Sequence, residues 1–502
     1  MKYIMAIDFG TSAIKTAVFN ESGEIKISKT SEYSLIYGDK GIIEISLEEL
    51  QRAFDESFLG CITSNEFDVN ELISIGFSSS GETMLFIDKN GNPTRNGITW
   101  MDTRASVEAD ELIHFFGNLE AYKITGQANI DVFNPAPKIY WLKKYENDVL
   151  KNTDKIMFMK DYFIYMMTGN FICDDSVLCT SSFWNVNNRS YWNEMLNEIG
   201  ITVKQLPKIV NQGSIVGTLN NKFALKYGLN KNILVNAGAQ DQVCGALGAG
   251  NIKAGILSES LGSAMMVMAT LDNFVINKKN PISCSPAAIN GKYVVNAYST
   301  GAIAMRWFRD NFCIEEKKLS EERNVSSFQI IDNFVRQIPI GSDGLIMLPY
   351  LQGTGMPKPN DNAKGVYFGI TTRHNKYYFA RSLMEGVSMS LRYIIEGINE
   401  RLGLEVKEII CFGGGSKSKT WMQIQADVTG IPIKVTKNSE NTACFGAAIL
   451  AGIACGVWIN IEEAVSKIEV SEIYFPNIEN NHMYDLIYDK FIQIRDSLDD
   501  LF

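Results

Sequence analysis

Short apolar runs alternate along this chain with longer stretches in which apolar residues recur at helical spacing. Near the start, Tyr3 to Phe9 is apolar around Asp8, Gly10-Thr11-Ser12 marks a tight turn, and Ala13 to Phe19 is apolar again. Glu21-Ser22-Gly23 then turns the chain into Glu24 to Ser28, so strand, turn, strand, turn, strand is predicted. The second half repeats the arrangement. Ile256 to Leu261 leads into Gly262-Ser263 and on to the apolar Ala264 to Ala269. Two such hairpins roughly 250 residues apart predict an internal duplication, one copy per domain.

Further strands are predicted at Leu72 to Ser78, at Met84 to Asp88 before the turn Lys89-Asn90-Gly91, and at Ile233 to Ala237. Ala136 to Tyr145 and Asp161 to Met167 carry helical spacing, as does the long Phe379 to Leu402. Val406 to Phe412 is a strand running into Gly413-Gly414-Gly415, and Lys419 to Thr429 is the helix after it. Strands alternating with helices imply α/β layers. At 502 residues the chain exceeds one ordinary core and suits two large domains. Gly245, Gly248, Gly250 and Gly255 place the boundary near residues 245–255.

Composition narrows the function. Hydrophobic residues make up 46% and charged residues 21%, the balance of a soluble globular protein. A net charge of −10 gives no general attraction for nucleic acid or an anionic membrane, so a phosphate site must be local and the partner a small molecule. Nine cysteines without a Cys-x-x-Cys pair argue against disulfide or zinc frameworks and read as buried small hydrophobes. Met1 to Phe9 does not read as a signal peptide and no stretch reaches transmembrane length, so a cytoplasmic location is expected. The three histidines lack neighbours at metal-ligand spacing. Chemistry should therefore run on carboxylates, loop amides and a bound metal ion.

Four segments could carry it. In Asp8-Phe9-Gly10-Thr11-Ser12 with Lys15, the glycine admits a phosphate, amides and hydroxyls can cradle its oxygens, and Asp8 can hold Mg2+. A plain hairpin turn accounts for the same residues. In Asn236-Ala237-Gly238-Ala239-Gln240-Asp241-Gln242, Asp241 follows a buried strand and can accept a proton from a hydroxyl nucleophile; it can equally be the N-cap of a helix through Val243 to Leu247. Gly413-Gly414-Gly415-Ser416-Lys417-Ser418 fits neither the P-loop nor the dinucleotide fingerprint and reads as another nucleotide loop or a bare connection. Ser78-Ser79-Ser80-Gly81-Glu82 and Trp100-Met101-Asp102-Thr103-Arg104 suit a polyhydroxy ligand, although Asp102 with Arg104 also reads as a local ion pair and Trp100 as core.

Taken in order, these pieces resemble the FGGY family of carbohydrate kinases. The likeness runs through Ala6-Ile7-Asp8-Phe9-Gly10-Thr11-Ser12, Gly97 to Arg104, Pro137-Lys138-Ile139-Tyr140-Trp141-Leu142-Lys143, Lys160-Asp161-Tyr162 and Met167-Thr168-Gly169. It continues through Gly238 to Gln242, Ser260-Leu261-Gly262-Ser263, Leu348-Pro349-Tyr350-Leu351, Glu385-Gly386 and Phe412 to Ser418. The resemblance implies an α/β, two-domain actin/hexokinase/Hsp70-like (ribonuclease H-like) fold with an interdomain cleft. It implies residues 1–246 as an N-terminal domain binding sugar and supplying the base, and 247–502 as a C-terminal nucleotide-binding domain.

The implied activity is transfer of the γ-phosphate of ATP, with Mg2+, to a small sugar, most simply a ketose such as xylulose; gluconate, glycerol or erythritol remain open as acceptors. By the same resemblance Asp241 is the catalytic base and Asp8 the metal-associated carboxylate. Gly81, Glu82, Trp100, Asp102, Asp241 and Gln242 line the sugar site. Thr11, Ser12, Lys15, Gly262, Ser263, Gly414, Gly415 and Ser416 serve ATP, with Ala443 to Ala447 as a neighbouring wall. Glu82 stands where glycerol kinases carry a glutamate and xylulokinases a histidine, while Gly81 replaces the arginine of the glycerol-kinase pair. Gln352-Gly353-Thr354-Gly355 replaces the usual Gly-Glu-Arg. A homodimer is expected by analogy with relatives. A non-catalytic sugar sensor on this fold, or an ATPase without a small acceptor, would be the rivals. The former predicts loss of Asp8 and Asp241, and both are present.

Overall fold

The structure, a computed structural model, describes residues 1–360, 362–437 and 439–502. Two compact units share the chain. One comprises Met1–Gly250, Leu271–Val295 and Asn441–Ile468; the other comprises Asn251–Thr270, Asn296–Glu440 and Glu469–Phe502. The chain first crosses between them at Gly250/Asn251, inside the glycine cluster, and later returns two segments to the first unit.

In the first unit, the strand Tyr3–Phe9 pairs antiparallel with Ala13–Asn20, which pairs antiparallel with Ile25–Glu32. On its other side Tyr3–Phe9 runs parallel to Leu72–Ser79, followed by the parallel Leu234–Asn236 and the antiparallel Ile215–Thr218. The second unit repeats this order and sense. Ile256–Leu261 is antiparallel to Ala264–Leu271 and parallel to Glu408–Phe412, followed by the parallel Ile433–Thr436 and the antiparallel Val470–Tyr474. The duplication expected from the hairpins is therefore a duplication of whole sheets.

Local sequence explains the elements. Leu72–Ser79 is buried at every position but one, because a central strand with parallel neighbours is covered on both faces and loses its alternation. The helix Leu47–Ile62 starts where Ser46 accepts the amide of Glu49, and it buries Leu50, Phe54, Phe58 and Cys61 along one stripe. Phe54 stacks on Phe163, which stacks on Phe9, with ring centroids 4.6 and 4.7 Å apart. The long second-unit helix spans Lys376–Leu402 and begins ahead of its predicted start at Phe379, because Asn375 accepts the amide of Tyr377. Apolar spacing marks a helix's buried face; caps mark its ends.

Thr442–Ala454 is a helix of small and apolar residues, buried almost throughout. It belongs to the first unit, where it crosses the helix Asp241–Ala249 at backbone contact distance. A Cβ on Gly446 would lie 1.9 Å from the carbonyl oxygen of Cys244, and one on Gly248 would lie 1.9 Å from that of Thr442. Gly76 in the central strand admits the same helix, its Cβ position being 2.5 Å from the oxygen of Ala447. Eight of the nine free cysteines are buried, Cys244 and Cys411 among them. Among the described residues no helix is long and apolar enough to cross a membrane.

The crossing gives a prediction. Gly446→Ala should destabilise the first unit by about 1–3 kcal/mol, since backbone on the partner helix must move. The same change at Gly117, which meets no atom within 4 Å but has φ +75°, should cost only the local strain of that backbone. Urea unfolding of both variants measures the difference.

Candidate active site

The first-unit hairpin brings Asp8 level with Lys15 on one neighbouring strand and with Ser78 on the other. Ser78 Oγ donates to Asp8 Oδ1 at 2.7 Å. Burial pushes the Asp8 carboxyl above its ordinary range, while the Ser78 bond and the Lys15 charge pull it back. The turn beyond it is fastened by the Gly10 amide on Ala13 O (3.0 Å), the Tyr33 amide on Ser12 O (3.0 Å) and the Tyr33 hydroxyl on Gly10 O. Thr11 Oγ1 accepts the indole N–H of Trp100 at 3.1 Å, and Ser12 is exposed.

Asp241 is the first residue of the helix Asp241–Ala249, and Gln240 takes the N-cap position without a side-chain bond. The N-cap alternative for Asp241 is thereby replaced: its carboxylate lies in the first turn, accepting the Gln242 amide at 2.7 Å. Burial raises this carboxyl to about 7, and the negative charges of Asp8 and Glu82 add to the shift. The backbone here is pinned twice. Gly238, at φ +66°, presses so close to Leu72–Ser79 that a Cβ would meet the Phe77 oxygen at 1.9 Å. The Gln240 amide donates to Ser176 Oγ at 2.8 Å, and Ser176 donates to Asp174. Asp174 and Asp161 pair with Lys160 at 2.6 and 2.8 Å, all three fully buried.

Glu82 lies beside Gly81 at the end of the same central strand. Its carboxyl is pushed up by burial and by Asp131, against the Thr180 hydroxyl and the Lys138 charge. A Cβ on Gly81 would sit 2.9 Å from Thr180 Oγ1 and 3.2 Å from Gln240 Nε2. Trp100 is half-buried, edge-on to Phe133, and its own amide donates to Thr83 Oγ1 at 3.1 Å. Asp102 is fully buried, with both oxygens taken by Arg104 (2.7–3.0 Å) and a further bond from the Ile43 amide at 2.7 Å. That is the local ion pair, and Glu44 extends it by accepting from the same Arg104 Nη2 at 2.6 Å.

Lys138 is the residue that sequence reasoning passed over. Its fully buried ammonium donates to the carbonyls of Thr99 (2.8 Å), Trp100 (2.9 Å) and Phe133 (2.9 Å), tying the Trp100 loop to the Phe133 turn. Burial lowers its pKa to about 7, while Asp102, Glu82 and Asp131 favour the charged form. Three carbonyl acceptors require all three N–H groups, so the bonded state is the ammonium. A lysine between apolar positions of a helix, Pro137-Lys138-Ile139, was the available signal.

In the second unit, two loops abut. A Cβ on Gly415 would meet Leu261 side-chain atoms at 2.5 Å, and one on Gly413 would meet the Leu261 carbonyl carbon at 3.1 Å, directly before Gly262 and Ser263. Ser416 is buried and its hydroxyl donates back to Gly413 O at 2.7 Å. Gly414 is exposed and has nothing within 4 Å of its Cβ position, so a flat ring can approach there. Gly262 is half-buried and Ser263 exposed; their carbonyls accept the amides of Ala302 (2.7 Å) and Ile303 (3.2 Å). Ala443 to Ala447 lies in the first-unit helix described above.

Two family models match the chain. The N-terminal domain of the FGGY family of carbohydrate kinases matches residues 3–248, and its C-terminal domain matches residues 260–455. Xylulose kinase of Bacillus subtilis is 28% identical, covering 100% of this chain and 98% of its own length. Gluconokinase of the same organism is 26% identical, covering 95% of this chain and 92% of its own. Ligand-bound xylulose kinase from Lactobacillus acidophilus superposes with a TM-score of 0.89 at 24% identity, over 99% of this chain and 98% of that one, which shows the shared fold.

Lys138→Met should destabilise the protein by about 3–5 kcal/mol, because three buried carbonyls and the carboxylates around them lose their cation. Thermal unfolding measures it. Lys151→Met, in the next helix and paired with Asp148 with both side chains exposed, should cost under about 1 kcal/mol.

Proposed function

We propose that this chain, which belongs to the FGGY family of carbohydrate kinases, uses Asp241 as general base to phosphorylate a hydroxyl of a small ketose such as xylulose. It is a phosphotransferase, with sugar and ATP as its substrates. The observation that carries the base assignment is a carboxyl at a helix start, raised to about 7 by burial beside two other carboxylates. A base with that pKa is ionised in about half of the molecules near neutral pH and holds a proton well enough to withdraw one from an alcohol as the O–P bond forms. The ketose is suggested by relatives named xylulose kinase.

Gly81, Glu82, Trp100 and Gln242 would orient the acceptor from residues 1–246, with Asp102 anchoring their loop through Arg104 rather than touching sugar. Thr11, Ser12 and Lys15 would meet the transferring phosphate. Gly262, Ser263 and Gly414, on residues 247–502, would take the nucleotide, and Gly415 and Ser416 would keep that loop in shape. Asp8 would be the carboxylate that meets a Mg2+ ion, through the oxygen Ser78 leaves; among the described residues no cluster of three metal-ligating side chains surrounds it, so phosphate and water would complete the shell. When bound, that ion neutralises phosphate charge. A cytoplasmic location and a homodimer belong to the same reading and rest on family resemblance.

Asp241→Asn should lower kcat by about 100-fold or more while leaving the KM for ATP within about twofold. Unchanged turnover would contradict the assignment. The same variant has a readout independent of activity. A carboxyl raised in the folded state makes the unfolded chain release its proton first, so stability is lost as pH rises from about 4 to about 7. Asp241→Asn should therefore raise the melting temperature at pH 8, with a gain that shrinks towards pH 4.

For the wild type, kcat/KM should fall on the acid side with an apparent pKa near 7. Glu82→Gln removes one of the charges that hold Asp241 up, so that limb should move to lower pH. A limb that stays in place, measured with the same acceptor, would separate Glu82 from the base.

A further inference from the structure

Negative charge gathers around Glu82, and the cations beside it, Lys138 and Arg104, are already engaged. Glu82 lies in the field of Asp131 and itself acts on Asp241. The positive charge opposing Glu82 is Lys138, whose three N–H groups are all engaged with the carbonyls of Thr99, Trp100 and Phe133 and whose side chain is fully buried. Arg104 is held by Asp102 and Glu44, its side chain 3% exposed. Lys138 cannot turn a donor towards a ligand without baring carbonyls, and Arg104 commits its Nε and Nη2 to those two carboxylates. At position 81, a Cβ would meet Thr180 and Gln240 at 2.9 and 3.2 Å, so the strand end leaves little room for a long cationic side chain. A carboxylate brought into this pocket would meet like charge in a partly desolvated place without a new hydrogen-bonding cation. A hydroxyl would find acceptors in Glu82 and Gln242, and a ring or carbon chain could lie against Trp100.

Resting on the kinase reading above, we propose that the acceptor is an uncharged ketose or polyol and that Glu82 excludes aldonates and other carboxylated sugars. Relatives named gluconokinase make this a discriminating statement, since they match the chain nearly as well as those named xylulose kinase.

The test uses the full-length protein with matched acceptors: xylulose and xylitol against xylonate, and glucitol against gluconate. ADP release in the presence of Mg2+ and ATP reads turnover, and calorimetry without ATP reads binding. The expected result is a kcat/KM for the best neutral acceptor at least ~100-fold above that for any aldonate, with the same order in binding. Glu82→Gln should narrow the gap by about tenfold or more, chiefly through better aldonate binding. An aldonate that turns over as well as the neutral compounds would overturn this inference and leave the kinase reading intact. Neutral compounds that bind selectively without ADP release would support it while sinking the kinase reading. Binding of neither class would overturn it, because the pocket would then not be an acceptor site. If Glu82→Gln does not fold, the wild-type comparison decides alone.

Discussion

Crowding of negative charge among half-buried carboxyls is the constraint on which the rest of this site depends. Asp8, Glu82 and Asp241 each have a carboxyl pushed up by burial, and Asp241 feels the other two directly. Left to itself, such a group would shed its charge or unfold its surroundings. The fold opposes this with few, specific devices: the Ser78 hydroxyl and Lys15 on Asp8, the Thr180 hydroxyl and Lys138 for Glu82, and the Gln242 amide at a helix start for Asp241. Charge is thereby kept on carboxyls that burial would otherwise neutralise. Under the proposed mechanism this local instability supplies the base.

Holding that arrangement requires a stiff frame. The backbone at Gly238 is pressed against the central strand, and the Gln240 amide is tied through Ser176 and Asp174 to Lys160. Behind the helix that starts at Asp241 stands Thr442–Ala454, admitted by Gly248 and Gly446 to backbone contact. A segment from late in the sequence thus buttresses the helix of Asp241 from within the first unit. Small residues here serve close approach rather than flexibility, because any Cβ would strike a carbonyl oxygen.

Much of the fold was legible because its signals are local. Both hairpins, their turns and most of the long helices follow from apolar runs and punctuating glycines, and the errors fall at ends set by caps such as Asn375. Asp241 was visible as a residue with two possible roles; the structure gives the N-cap position to Gln240, and the base remains the proposal. The role of Lys138 was not legible, because its partners are backbone carbonyls, which any sequence possesses. Asp102 and Arg104 illustrate the opposite case: their spacing suggested both a ligand contact and an ion pair, and the geometry is that of the ion pair. Thr442–Ala454 is apolar nearly all round, which announces burial, but nothing in the pattern says against which unit.

The central claim concerns one proton on one carboxyl, and it can be observed without turnover. Carboxyl 13C chemical shifts of protein labelled at aspartate, followed against pH and compared with the Asp241→Asn variant, isolate the titration of Asp241. A midpoint near 7 is expected. A midpoint close to 4, the range of an ordinary exposed aspartate, would contradict it.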